Sequence, residues 1–200
     1  MTTRQQRYDN KRLAAIRAAA AEFAEHGYHG SSTAGIAQRL GIQQGSLYYY
    51  LKSKEEALEE VCLLALGEYV TRMEKIAETD QPFAAQLLAA VTAHLLRYRE
   101  KNEALKVYNS ERLYLPAARR RRLKKLGSHY RQLLESLLKK AIDRGELREI
   151  DAHFAAQMVI GVGNAMGELI VRDTELDVVT QAQKCCDLLL TGMNNPQNQR

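Results

Sequence analysis

The stretch from Thr33 to Lys54 constrains the fold more than any other part of this 200-residue chain. Its apolar residues Ile36, Ala37, Leu40, Ile42, Leu47 and Tyr50 are spaced as two short helices sharing one buried face, with Gly41 at the turn between them. No polar side chain interrupts that inner set. The positions left over, Gln43, Gln44, Ser46, Tyr48 and Tyr49, are hydrogen-bonding side chains crowded at the start of the second helix. Two helices folded about a glycine, polar at the leading end of the second, read as a helix-turn-helix, the unit that presents that end to a DNA major groove.

The rest of the chain is helical in pattern, with almost no strand signal. Leu13, Ile16, Ala20 and Phe23 predict a helix over Asn10 to His26 that Gly27 ends; the loop Tyr28 to Ser32 leads to Thr33 as an N-cap. Ser53 caps a long helix to about Glu78, with Glu55 and Glu56 in the first turn where the helix dipole favours acids. Further helices are expected over Phe83 to Tyr98, Glu103 to Glu111, Ala117 to Arg144, Asp151 to Arg172 and Glu175 to Met193. Pro116 opens the third of these and Gly145 stops it. Asn194 to Arg200 reads as a frayed polar tail. The chain is therefore all-α, and its expected division, into residues 1–54 and 55–200, falls at a continuous helix rather than at a flexible linker.

Charge follows the same division. Residues 1–54 hold eight Lys/Arg against three Asp/Glu, a net +5 that equals the charge of the whole chain. A basic excess confined to the helix-turn-helix segment is what phosphate neutralisation needs, although a solvated basic surface gives the same count. Residues 97–144 are a second basic block, fifteen bases against five acids, densest at Arg119-Arg120-Arg121-Arg122-Leu123-Lys124-Lys125. That run reads first as a solvated face; holding an anionic ligand or pairing with the acidic flanks are the alternatives. No run of about 18 apolar residues is expected to span a membrane, and no signal-peptide core precedes the first helix, so a cytoplasmic protein is expected. Cys62, Cys185 and Cys186 are expected as reduced thiols. The histidines lack metal-ligand spacing, no glycine loop cradles a phosphate, and no Ser or Cys stands in a nucleophile motif. Catalytic residues, metal and cofactor are accordingly all expected to be none.

Residues 10–58 resemble the DNA-binding domain of the TetR family of bacterial regulators. The matching pattern is Gly27, Thr33-Ala34-Gly35-Ile36-Ala37, Leu40-Gly41-Ile42, Gly45-Ser46-Leu47-Tyr48, and Tyr50-Leu51-Lys52-Ser53-Lys54-Glu55-Glu56-Ala57-Leu58. Gln43 stands where the family usually has Ser, and Leu51 where it usually has Phe. The resemblance implies a three-helix helix-turn-helix domain followed by a larger helical ligand-binding and dimerisation domain. It makes the protein a repressor that binds a palindromic double-stranded DNA operator as a homodimer through its last two long helices. Gln43 and Gln44 suit bidentate pairing with adenine. Gly45 lets the backbone approach, and Thr33, Ser46, Tyr48, Tyr49 and Lys54 are candidates for phosphate contacts. Tyr50 packs inside, and Arg4 and Arg7 form either a minor-groove arm or a solvated tail. Gly161, Gly163, Ala165 and Gly167 let a facing helix approach closely, in a second copy or within one subunit.

For the ligand the expected lining is aromatic or soft apolar with a few polar tips: His94, Tyr98, Tyr108, Tyr114, His129, Tyr130, Met158, Asn164 and Met166. The segment Glu111 to Arg122 resembles TetR regulators that respond to acyl-CoA thioesters, which makes Arg119 and Arg122 candidate phosphate clamps. A fatty acid or other small hydrophobic effector is the runner-up, and control by a protein partner is the alternative to any small molecule.

Overall fold

The computed structural model describes residues 3–100 and 102–193; the tail expected at 194–200 lies outside the described residues. Those residues are nearly all helical: α1 (Arg4–Gly30), α2 (Thr33–Leu40), α3 (Gln44–Leu47), α4 (Lys54–Ala77), α5 (Phe83–Arg99), α6 (Glu103–Glu111), a 3-10 turn (Arg112–Tyr114), α7 (Ala117–Asp143), α8 (Ala152–Arg172) and α9 (Val178–Met193). The chain divides into two compact units, residues 1–67 with 103–126 and residues 68–102 with 127–200. The first unit takes in more than the expected residues 1–54 because α6 packs on α1 inside it.

In the first unit the core gathers Ile16, Phe23, Ile36, Leu47, Leu51 and Leu58 with Val107, Leu115 and Leu123. Thr3 opens α1 with a capping box: its Oγ1 accepts from Gln6 N and its own N–H donates to Gln6 Oε1. Arg4 and Arg7 therefore lie in the first turns of a helix, which corrects the arm or tail expected for them. Gly27 kinks α1 at φ 69°, a conformation that an L side chain resists, so the expected helix end there is a bend followed by one more turn. The cap of α2 is Ser32, one residue before the expected Thr33; Ser32 Oγ accepts from Gly35 N at 3.0 Å. At its other end Gly41 takes φ 70°, and Ile42 N–H reaches back to the Ala37 carbonyl at 3.0 Å, a Schellman closure that sets the turn into α3. Ser53 caps α4 as expected, with Oγ accepting from Glu56 N.

The second unit buries Phe83, Leu87, Val91 and Leu95 of α5 against Leu134 and Leu138 of α7, Ala156 and Ile170 of α8, and Ala182 and Cys186 of α9. Gln86 donates to the Thr79 and Ile76 carbonyls, closing the end of α4 on α5. Glu146 accepts from Phe83 N at 2.6 Å. Arg99 donates to the Thr174 and Leu176 carbonyls and so holds the connection from α8 to α9. Helix α9 starts three residues later than expected because Asp177 accepts from Thr180 N and fixes the first turn. Gly163 and Gly167 are spent inside the unit: a Cβ at Gly163 would meet His94 at 3.1 Å, and one at Gly167 would meet the Tyr98 ring at 2.4 Å. Among the described residues nothing lies within 4 Å of the corresponding point at Gly161.

Contrary to the sequence expectation, α8 is long and apolar enough to cross a membrane by length and composition, with a third of that window buried. The apolar surplus has a local cause, for Phe154, Met158, Leu169 and Val171 lie on its outer side while Ala156, Val159 and Ile170 face α5 and α9.

Candidate DNA-reading face and ligand chamber

At the DNA-reading end the candidate residues fall into two sets. Gln44 Nε2 donates to Thr33 Oγ1 at 2.8 Å, and Tyr48 OH lies 3.3 Å from the same oxygen, so side chains from α2, from α3 and from the residue that caps α3 form one network. An amide carries two N–H donors and an acceptor, so Gln44 keeps an N–H and its Oε1 for a base edge. Gln43, Gly45, Ser46 and Tyr49 are exposed around that network. Tyr49 packs edge-on to Tyr8 of α1 and to the half-buried Tyr50. Lys54 is turned away from this set, its Nζ 4.6 Å over the Tyr28 ring.

Behind the face, Glu22 of α1 is nearly enclosed and accepts from Arg39 Nε at 2.6 Å. Arg39 also pairs with Glu25, and that hydrogen bond and charge hold the Glu25 carboxyl below its ordinary pKa. Gly35 is flush with this group: a Cβ there would stand 2.3 Å from Glu22 Oε1. The spacing between α1 and α2 is therefore held by the ion pairs of Arg39 with Glu22 and Glu25 and by one missing methyl. The sequence showed Gly35 as part of a motif without showing what it faces.

Four of the ligand candidates belong to the first unit. Arg119 and Arg122 are committed to acids, Arg119 Nη1 to Glu59 at 2.6 Å and Arg122 Nη1 to Glu59 at 3.1 Å and Glu60 at 2.9 Å. Arg12 of α1 reaches Glu60 at 3.2 Å. Tyr114 is half exposed and stacks on Tyr28, and Tyr108, whose hydroxyl pKa burial raises, lies under the Arg112 guanidinium.

The second unit brings His94, Tyr98, Tyr130 and Asn164 together. Asn164 Oδ1 lies 3.1 Å from His94 Nε2 and accepts from Tyr98 OH at 3.4 Å. Burial brings the pKa of His94 down to about 4, against the opposing pull of the Asn164 hydrogen bond, so the ring is neutral at pH 7. Burial likewise pushes Tyr130 up to about 12. Met166 is half buried beside this core, but Met158 faces outward with Phe154, and His129 is exposed, its Nε2 3.0 Å from Glu74. Sequence reading missed Tyr69 and Arg97. Tyr69 packs 4.7 Å from His94 between ring centroids, and Arg97 lies over the Tyr69 ring. The available signal was position: Arg97 is a charge in the buried phase of α5, three residues after His94. The three thiols are buried and free, with Cys62 and Cys186 pushed up to about 12 by burial, which leaves them poor nucleophiles.

Comparison with known proteins finds two family matches along the chain. Residues 15–61 match the family described as bacterial regulatory proteins, tetR family, and residues 80–193 match the tetracyclin repressor-like C-terminal domain. The fatty acid metabolism regulator protein of Bacillus subtilis is 26% identical over 187 residues, which cover 92% of this chain and 96% of that one. The crystal structure of a TetR family transcriptional regulator, PfmR from Thermus thermophilus, is similar with a TM-score of 0.79 and 28% identity, over 90% of this chain and 99% of its own. That of the regulator FadR from Bacillus subtilis in complex with stearoyl-CoA is similar with a TM-score of 0.78 and 26% identity, over 90% and 98% of the two chains.

Proposed function

Since the chain belongs to the tetR family of bacterial regulatory proteins, and so is a transcriptional regulator, we propose that it is a repressor that binds a palindromic operator as a homodimer and is released by an acyl-CoA or fatty-acid effector. In this reading residues 1–54 read DNA and residues 55–200 bind the effector and dimerise. The observation that carries it is the Thr33–Gln44–Tyr48 network, which fixes the leading end of α3 while leaving the Gln43 and Gln44 amides outward. Base readout needs that combination of a rigid mount and free donors and acceptors.

Two further features support the finer parts. Phe154, Met158, Gly161, Ala165 and Leu169 recur at helical spacing on the outer side of α8, and Val179 and Leu188 are exposed on α9. An apolar stripe of that kind fits burial against a second copy. The relatives named for fatty acid metabolism and crystallised with stearoyl-CoA point to an acyl effector. The effector must bind the released state more tightly than the DNA-bound one, because only that difference shifts the population. The helices α4 and α7, which contribute to both units, are the elements through which the shift travels.

The test is selection of binding sites from random double-stranded DNA by the full-length protein. Palindromes with half-sites about one helical turn apart are expected. Gln44→Ala and Tyr48→Ala should each weaken the selected site by roughly tenfold or more with the oligomeric state unchanged. Recovery of no preferred sequence, or full affinity in both variants, overturns the reading.

A further inference from the structure

Arg97 of α5 is 2% exposed, yet two of its three nitrogens are unanswered. Its Nη1 pairs with Glu68 and lies 3.7 Å from Glu100, while Nε and Nη2 have no hydrogen-bond partner among the described residues. The guanidinium carbon sits 5.6 Å from the centroid of the Tyr69 ring, and the Tyr69 hydroxyl is likewise buried with no partner. Of the neighbouring polar groups, His94 Nε2 and Tyr98 OH both lie on Asn164 Oδ1, while one acceptor, Glu68 Oε2 beside Arg97 Nη1, is also buried without a hydrogen bond. Folding rarely leaves a buried donor without an acceptor, because the lost water is not replaced. Three such donors stand against that single free acceptor in α4 and α5, so what would complete them is a further acceptor.

Charge decides which acceptor. Arg97 and Arg72 stand against Glu68 and Glu100, with Arg72 Nη2 3.4 Å from Glu100 Oε2. The group is balanced as it stands. A carboxylate or phosphate placed beside Tyr69 would leave one buried negative charge without compensation, which a low-dielectric interior penalises. A neutral carbonyl oxygen brings lone pairs and no net charge. The free space bordered by Tyr69, Met73, His94 and Tyr130 is only about 10 Å³, the lower limit for one water. Any acyl group that entered there would have to move the lining side chains, and the hydrogen bonds it made would be gained only in the opened state.

We propose that Tyr69 and Arg97 form the head subsite of the effector chamber and receive the carbonyl oxygen of an acyl thioester in preference to a free carboxylate. This rests on the acyl-effector reading above and adds the atom that is recognised and the side chains that recognise it. Tyr69→Phe separates such a role from a structural one. In the unliganded protein the substitution removes an unpaired hydroxyl, so the unfolding temperature should hold or rise, whereas thioester binding should weaken.

The experiment is calorimetric titration of the full-length protein with butanoyl-, octanoyl- and hexadecanoyl-CoA, with the matching S-alkyl-CoA thioethers that lack the carbonyl, and with the matching free acids. Wild type should bind the best thioester about tenfold more tightly than its thioether and its free acid. In Tyr69→Phe the preference over the thioether should shrink severalfold or vanish. Equal binding of thioester and thioether, equal binding of the free acid, or an undiminished preference in Tyr69→Phe overturns the subsite while leaving the acyl-effector reading intact. Wild-type protein that binds none of the probes overturns that reading and the subsite with it.

Discussion

Glu22 and Glu59 in the first unit and Arg97 in the second are all charges taken out of water, and their surroundings answer them differently. Glu59 holds Arg119 on one oxygen and Arg122 on the other. Glu22 holds Arg39 at 2.6 Å, with His26 Nδ1 at 3.5 Å. Arg97 keeps two buried nitrogens unpaired. A fully answered charge specifies one arrangement, because any displacement strands a partner. A partly answered one tolerates rearrangement and gains from a guest. The contrast assigns the fixed geometry to the unit that mounts the DNA-reading helix and the adaptable polar interior to the unit proposed to receive a ligand.

The largest expected effect tests the answered side. Glu59→Ala should lower the unfolding free energy by about 2–3 kcal/mol in urea titrations, since it leaves Arg119 without its acid and takes one of two acids from Arg122; the partial exposure of both arginines keeps the loss below that of a fully buried pair. Tyr69→Phe should cost nothing by the same measurement. Equal losses in the two variants would erase the contrast between the units.

Acid tests the other side, with a somewhat smaller effect. His94 has its pKa brought down to about 4 in the folded protein by burial, against an ordinary 6.5. Between those values the unfolded chain binds the proton that the folded one refuses, so stability is full above about pH 6.5 and falls as the pH drops towards 4. The contribution lost by pH 5 is about 2 kcal/mol. His94→Gln, which keeps an amide within reach of Asn164, should flatten that slope in unfolding titrations run from pH 7 to pH 5. An unchanged slope would mean that His94 is hydrated and that the second unit is no more adaptable than the first.

Much of this was legible in the sequence where the signal is local. Periodicity and caps placed α4 through α8 within a residue or so, and the Thr33–Lys54 pattern located α2, α3 and Gly41. A capping box at Thr3 and Gln6 was equally local, but it lies ahead of the first apolar residue of the pattern and so went unread. The polar pairings were not legible, for a different reason. Arg119 and Arg122 meet acids sixty residues away, and nothing in the run of arginines distinguishes those two from Arg120 and Arg121. Of the ligand candidates, His94, Tyr98, Tyr130 and Asn164 come together in the second unit, but side-chain chemistry alone does not tell the inner side of α8 from the outer, and Met158 lies on the outer.

The glycines of α8 put the smallest effects on that inner and outer distinction. Gly167→Ala drives a methyl into the Tyr98 ring and should destabilise the second unit by about 1–2 kcal/mol, the overpacking cost less the gain in helix propensity. Gly161 has open space at the same point, and a glycine at an exposed mid-helix position costs roughly 1 kcal/mol relative to Ala. None of the described residues of the subunit uses the missing methyl. If a facing α8 from a second copy does, Gly161→Ala should act with opposite signs at two levels. The dissociated subunit should unfold at about 0.5–1 kcal/mol higher free energy, and the dimer should dissociate at roughly tenfold higher concentration in sedimentation because the helices are held apart. A stabilised chain whose dimer is untouched would remove Gly161 from the proposed interface. A weakened dimer would show that α8 spends Gly167 on its own subunit and Gly161 on its partner, one helix serving both the adaptable interior and the symmetric contact that sets the spacing of the DNA-reading ends.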